Sequence, residues 1–240
     1  MWSTLRSRLV WGLFALSGLV PLLALLESPP EPTLLIYTVF VGAVFWQRRA
    51  RGRKGSVTSP WRPQPVRFWL ALLGTAALTE TLAWTGHFLK CSPEPALLHP
   101  QLLADLIQAF GFYSSWAVAW LLLLSRFRFE LPEVFAVQAA YGVLLEQQGQ
   151  IFLAGLATMP LGLILWLFVA LVYGSTIGIP YSSYGPGWSR NDRSGSRWKY
   201  PIALLALFLA IVPIGGTWGA LTQAVGLVPP PGPICERPLW

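Results

Sequence analysis

The sequence predicts an all-α fold, a polytopic bundle of membrane-spanning helices that forms one transmembrane domain over residues 1–240. Composition is the first observation that predicts this class. Hydrophobic residues make up 54% of the chain and charged residues only 11%, whereas a soluble domain carries about 25% charged residues. The second observation is that several stretches of about 18 residues or more carry almost no charge, as spanning helices do.

We predict seven spans along the chain. Their approximate limits are residues 9–26, 33–47, 68–87, 101–124, 133–145, 151–173 and 200–223. The second and fifth are shorter than the ~20 residues that a bilayer crossing normally needs. Both are kept because removing either one would put a strongly basic loop on the opposite side of the membrane from the other basic segments.

The distribution of basic residues is the third observation, and it predicts the orientation. Fifteen of the 17 Lys and Arg residues lie before the first span or in alternate loops after it, and only Lys90 and Arg237 fall on the other side. Cytoplasmic loops carry such an excess of basic residues. We therefore expect a cell (plasma or inner) membrane protein with its N-terminus inside, a basic cytoplasmic loop at 48–66 and a Pro-rich outer tail at 224–240.

The net charge of +7 is explained by this topology, so nucleic acid is not expected as a partner. Membrane lipids are the expected surroundings, and the run RRARGRKG offers a further attraction for anionic headgroups. The first 28 residues resemble a signal peptide in having Arg before an apolar run, but they lack a small-x-small cleavage site. We expect a retained first helix.

A group of polar residues interrupts the apolar sequence between the fifth and sixth spans. Glu146, Gln147, Gln148 and Gln150 surround Gly149 in the stretch LLEQQGQIF. The simplest interpretation is a tight hairpin at the outer surface, with its side chains in water or among headgroups. The alternative is the rim of a binding site.

Three spans each present a polar face toward the outer half of the membrane. Glu80, Trp84 and His87 share one face of the third span, since they follow the i, i+4, i+7 spacing of a helix. Glu80 would lie about 10 Å below the outer end, where a carboxylate by default marks a functional or helix-pairing position. Asp105 and Gln108 in the fourth span and Tyr141 in the fifth continue the pattern. We predict a polar cavity that opens outward; the alternative for Glu80 is an interhelical hydrogen bond.

Both cysteines, Cys91 and Cys235, fall on the predicted outer side. An oxidising compartment favours a disulfide between them. A zinc site that includes His87 and His99 is not predicted, because the spacing matches no usual zinc pattern. The sequence also lacks nucleotide-binding and hydrolase motifs, and it leaves the cofactor, if there is one, unknown.

Two further elements concern helix packing. Gly215 and Gly219 form a G-x-x-x-G pattern in the seventh span, which predicts close packing, a kink beside Pro213, or an oligomer contact. Pro160 predicts a kink within the sixth span.

These patterns lead to three functional hypotheses. The favoured one is binding or modification of an amphipathic molecule such as a lipid, quinone, isoprenoid or pigment. In its catalytic form Glu80 or Glu146 acts as general acid or base with His87 as partner, and Trp84, Asp105, Gln108, Tyr141, Gln147 and Gln148 bind the ligand. The alternatives are a proton-coupled secondary transporter and a non-catalytic assembly or scaffold subunit.

Overall fold

The computed structural model describes residues 2–53, 65–93, 97–184, 197–227 and 233–236, and most of these residues are helical. Those parts contain no β-strand. The α-helices are α1 Trp2–Ser17, α2 Leu35–Arg53, α3 Pro65–Leu89, α4 Leu102–Arg126, α5 Leu131–Leu145, α6 Gln150–Ala157, α7 Gly162–Tyr184, α8 Lys199–Ala210 and α9 Gly216–Ala224. Short 3₁₀ turns cover Val20–Leu26, Glu146–Gly149 and Ile234–Glu236, and a π-helical turn, Ile211–Gly215, joins α8 to α9. Most of the predicted basic loop, and the end of the predicted tail including Arg237, lie outside the described residues.

Five of the helical segments are long and apolar enough to cross a membrane. They are Leu9–Leu26, Pro65–Leu89, Leu102–Arg126, Gly162–Tyr184 and Lys199–Ala224. Large apolar side chains remain exposed along these segments, for example Leu122, Ile164 and Val212. An exposed apolar surface of this extent is typical of helices that face lipid. The chain is therefore a membrane protein, and its helical class is as predicted.

The core lies between α3, α4, α5, α7 and α8, and aromatic side chains fill it. Trp120 and Phe68 are fully buried there, and Trp116 is 1% exposed. A second, smaller cluster joins α2 to α7 through Phe40 and Val41. Buried aromatic rings of this size contribute large contact areas, so α4, which carries both tryptophans, is held on several sides.

The two ends of the bundle differ in chemistry. One end, which we term the basic pole, holds the end of α2, the α4–α5 connection and the start of α8; there Gln47 donates to Ser183 at 2.6 Å, and Lys199 pairs with Glu133 at 2.6 Å. The opposite end, the disulfide pole, holds the Cys91–Cys235 bond and the Lys90–Glu31 ion pair. The described basic residues thus collect mainly at one pole.

The helix α5 begins with local signals that the sequence supplies. Pro132 lies in its first turn, and the Glu133 carboxylate accepts the Glu130 backbone N–H at 2.7 Å. Such a capping box satisfies donors that the start of a helix leaves free. The helix ends after 15 residues at Leu145.

The predicted sixth span, 151–173, is wrong. The chain turns at residues 158–161, around Pro160, and α6 folds back along the first turns of α7. Trp166 donates its Nε1–H to the carbonyl of Ile151 at 3.3 Å and stacks on Phe152 with 5.4 Å between ring centroids. A Cβ added to Gly162 would lie 1.9 Å from the carbonyl oxygen of Gly155, so the two backbones touch.

The polar stretch EQQG is therefore an interruption and not a hairpin, which corrects the predicted turn. Successive contacts place α5, the Glu146–Gly149 turn and α6 in order along one antiparallel partner, α7. Phe129 meets Tyr181 just before α5, Gly142 and then Glu146 meet Tyr173, and Ile151 meets Trp166. Positive φ angles at Gln147, Gln148 and Gly149 (50°, 59° and 87°) break the helix between α5 and α6.

Candidate functional site

The contact between α3 and α4 brings two acidic side chains together. The Tyr113 hydroxyl on α4 donates a hydrogen bond to Glu80 Oε1 on α3. Asp105, fully buried in the first turn of α4, accepts the His99 backbone N–H through Oδ1 at 3.0 Å. Its other oxygen, Oδ2, has no hydrogen-bond partner among the described residues. Glu80 and Asp105 are close enough for their charges to interact.

A second carboxyl–tyrosine pair forms where the helical path from α5 to α6 is interrupted. Glu146 follows the last residue of α5, and its Oε2 accepts a hydrogen bond from the hydroxyl of Tyr173 on α7. Gly142 makes this approach possible, because a Cβ at that position would lie 2.3 Å from Cγ of the Tyr173 ring. The glycine thus lets α7 bring its tyrosine against the end of α5.

Trp116 joins the two pairs at their centre. Its ring lies 4.8 Å from that of Tyr113, 5.3 Å from that of Tyr173 and 5.5 Å from that of Tyr141, measured between centroids. The charge of Glu146 also reaches Glu80 and Tyr141. We term this group the carboxyl–tyrosine cluster; its members are Glu80, Asp105, Tyr113, Trp116, Tyr141, Glu146 and Tyr173.

The cluster has a buried side and an accessible side. Trp116 and Tyr141 are each 1% exposed, whereas Glu80, Glu146 and Tyr173 are only partly buried. Trp116 Nε1 and the Tyr141 hydroxyl face each other, yet neither makes a hydrogen bond of normal geometry with a described residue. The two carboxyls Glu80 and Glu146 are thus the more exposed part of the cluster, and Trp116 and Tyr141 are its enclosed part.

No basic side chain of the described residues neutralises these carboxyls. The ion pairs that the described part of the chain contains, Lys90–Glu31 and Lys199–Glu133, lie at the two poles. Burying carboxylates without a counter-charge is costly. Among the described residues, the hydrogen bonds to these carboxyls come from two tyrosine hydroxyls and one backbone N–H.

Several predicted site residues lie outside this cluster. Trp84 is buried and donates its Nε1–H to the Pro100 carbonyl at 2.9 Å. Gln108 donates to the Leu227 carbonyl at 2.9 Å and so ties α4 to the residues after α9. Gln147 and Gln148 are exposed. Of the residues predicted from sequence, the structure brings together Glu80, Asp105, Tyr141 and Glu146.

His87 is not placed beside Glu80 or Glu146. Its Nδ1 lies 3.1 Å from the Ser92 hydroxyl, and the charged groups that act on it are Glu31 and Lys90 at the disulfide pole. A direct proton transfer between His87 and either carboxyl of the cluster has no geometric support in this arrangement.

The disulfide pole contains the predicted disulfide, in which the Cα atoms of Cys91 and Cys235 are 5.1 Å apart. Burial raises the pKa of Glu31, but the Lys90 ammonium and two hydrogen bonds from Thr33 outweigh it, so the net pKa is below the usual 4.5. Across the described ranges no three His, Cys, Asp or Glu side chains form a group that would hold a metal ion.

The two glycines of the predicted G-x-x-x-G pattern have free space around them. A Cβ added to Gly219 would meet nothing within 4 Å, and one added to Gly215 would make ordinary contacts with Ile211 at 3.5 Å and Phe112 at 3.9 Å. Beside Pro213 the helix contains the π-helical turn Ile211–Gly215, a feature at which helices often kink.

Sequence reasoning missed Tyr173 as a member of the site. The misplaced turn assigned it to the inner end of a span, whereas it lies in the middle of α7 opposite Glu146. Pro160 and Gly162 were the available signals, because a turn placed at Pro160 would have brought Tyr173 to this depth.

Comparison with known proteins gives no relative. No protein-family model, curated protein or solved structure matches the chain.

Proposed function

We propose that the protein crosses the membrane seven times and binds or modifies an amphipathic molecule at the carboxyl–tyrosine cluster. The two crossings beyond the five long segments are α2 and the interrupted pair α5–α6. At 1.5 Å per residue, α5 and α6 together extend about 34 Å, as α7 does, and the hydrocarbon core is about 30 Å thick. Positive-inside bias places the basic pole and the N-terminus in the cytoplasm and the C-terminus outside.

The main support for the proposed binding site is the pair of partly buried carboxyls, each of which accepts a hydrogen bond from a tyrosine. Glu80 bonds Tyr113 and Glu146 bonds Tyr173. Ionisable groups at membrane depth are costly and are retained mainly for function. Here they lie beside the aromatic rings of the cluster, so one region offers hydrogen bonds to a polar head group and apolar contact to the rest of a ligand.

The ligand class remains that of an amphipathic molecule: a lipid, quinone, isoprenoid or pigment. If the protein is an enzyme, Glu80 or Glu146 is the acid or base, because these carboxyls are the accessible ones. Tyr113 and Tyr173 would then orient them. His87 would act only at the disulfide pole, where the entry path of a ligand from outside would begin.

The test is mass spectrometry of the protein purified in native-lipid particles. Wild type is compared with Glu80→Gln and Glu146→Gln, and with Glu27→Gln as a matched control, since Glu27 is an exposed carboxyl outside the cluster. We expect a stoichiometric hydrophobic ligand in wild type and in the control, and its loss from the two cluster variants. Equal ligand content in all four proteins would refute the proposed site.

A second candidate, a proton-coupled secondary transporter, is favoured by one observation. Interrupted spans mark binding sites in many transporters, and the Glu146–Gly149 break places a carboxyl at such an interruption. Glu80 would be its proton relay. Substrate or proton flux in reconstituted vesicles, abolished in Glu146→Gln, would favour this candidate; vesicles without any flux would exclude it. A scaffold role through an oligomer contact at Gly215 and Gly219 stays a prediction.

A further inference from the structure

The charge of the cluster restricts the ligand more narrowly than the proposed function does. Glu80 lies within electrostatic reach of both Asp105 and Glu146, and within the described residues no Lys or Arg side chain bonds to any of the three. A buried acidic group needs a proton or a positive partner. An anionic head group would add to the repulsion, whereas a cationic one would remove it.

The aromatic side chains favour an organic cation. Tyr113, Tyr141 and Tyr173 surround Trp116 at centroid distances of 4.8–5.5 Å. Trp and Tyr rings attract ammonium groups through their negative faces. Tyr173 is partly exposed beside Glu146, so its ring is the accessible aromatic surface of the cluster.

Unpartnered buried atoms supply an independent sign of a ligand. The hydroxyl of Tyr141, in a residue 1% exposed, and Oδ2 of Asp105, in a residue 0% exposed, make no hydrogen bond of normal geometry with a described residue. The neighbouring polar groups are Trp116 Nε1 beside Tyr141 and the Glu80 carboxyl beside Asp105. Buried polar atoms are nearly always paired, so an unpaired one marks a missing partner. Both oxygens accept hydrogen bonds, and an ammonium group that bears N–H donates them.

We propose that the ligand is an amphipathic amine whose ammonium head group lies between Glu80 and Glu146 and donates toward the Tyr141 hydroxyl. This inference rests on the proposed binding function. The apolar tail lies along the lipid-exposed side of the helices, where apolar contact with the bilayer continues. The two accessible carboxylates share the positive charge, which accounts for the absence of a basic side chain from the described part of the cluster.

The experiment measures binding of radiolabelled decylamine to the full chain in lipid nanodiscs, with empty nanodiscs as the background. Decan-1-ol is the neutral competitor of the same length, and decyltrimethylammonium is the cation without N–H. Variants are Glu80→Gln, Glu146→Gln and Tyr141→Phe, with Glu27→Gln as the control. Thermal unfolding of each variant verifies that it is folded; Tyr141→Phe removes a single unpartnered hydroxyl and keeps the ring.

We expect saturable decylamine binding in wild type and Glu27→Gln, weakened at least about tenfold in each Gln variant, as loss of a charge-assisted hydrogen bond predicts. Tyr141→Phe should weaken decylamine but leave decyltrimethylammonium unchanged, and decan-1-ol should not compete. Equal binding in wild type and both Gln variants, or competition by decan-1-ol as strong as by unlabelled decylamine, overturns the proposal.

Different results would overturn the amine ligand and the binding function of the cluster. A neutral or anionic amphipath that co-purifies with wild type and is lost from the Gln variants overturns the amine and leaves the binding function standing. Absence of both a co-purifying ligand and decylamine binding overturns the two together. Decylamine binding without a co-purified molecule supports the amine, since a ligand in exchange with the bilayer is lost during purification.

Discussion

Replacing Gly162 with Ala tests the fold-back of α6 on α7. A Cβ at Gly162 would lie 1.9 Å from the carbonyl oxygen of Gly155, where real contacts stay above 3.0 Å. The two backbones would have to separate by about 1.1 Å, and no flexible side chain is available to move instead. Overpacking of this kind costs about 1–3 kcal/mol and occasionally more. Because the obstacle is backbone, we expect about 3 kcal/mol of lost stability.

The control is a glycine with free space around it. A Cβ added to Gly74 in α3 would meet nothing within 4 Å, so Gly74→Ala should leave stability unchanged or raise it by up to ~1 kcal/mol through helix propensity. Equilibrium unfolding in mixed micelles, followed by circular dichroism, measures both variants against wild type.

The two topologies predict opposite results for Gly162→Ala. If residues 151–173 were one straight helix, Gly155 and Gly162 would lie about 10 Å apart along its axis, and an alanine would be tolerated as well as at Gly74. Equal stability of the two variants would therefore refute the fold-back and, with it, the placement of Tyr173 beside Glu146.

Three further predictions concern the cluster and the disulfide pole. Tyr113→Phe should lose about 1–2 kcal/mol of stability and retain less ligand in native-lipid particles. The control Tyr184→Phe should show neither change. Equal stability and equal ligand content in the two variants would contradict the role of Tyr113 in the cluster. Cys91→Ser should lower stability by about 2–4 kcal/mol, because the bond closes a loop of 144 residues, and reducing wild type should produce the same shift. Because the folded-state pKa of Glu31 lies below 4.5, its contribution is complete above that pH and is lost as the pH falls through the folded-state pKa. Glu31→Gln or Lys90→Met should flatten this acid loss in a pH series of unfolding midpoints; an unchanged profile would contradict it.

The candidate site was only partly predictable from the sequence. Glu80 stood out because a carboxyl within an apolar helix is rare, whatever residues surround it in the fold. Its helix face could be assigned from spacing alone. The aromatic partner Tyr113 lies 33 positions away from it, and no local pattern connects the two. His87 shares the helix face of Glu80, but seven residues of helix separate these two side chains by about 10 Å. His87 therefore lies at the disulfide pole, where it contacts Ser92.

The sequence by itself determined that this chain is a helical membrane protein, that its basic residues collect toward one pole, and that Cys91 and Cys235 lie near each other. These properties depend on hydropathy and charge summed over whole segments, so they tolerate errors of several residues in any boundary. Tertiary structure alone decided that EQQG interrupts the helical path from α5 to α6 and that the chain turns at Pro160. Both stretches are polar or helix-breaking, and either can end a helix. The choice depends on which side chains meet on α7: Glu146 reaches Tyr173, and Gly155 admits Trp166, only when α6 continues past the break.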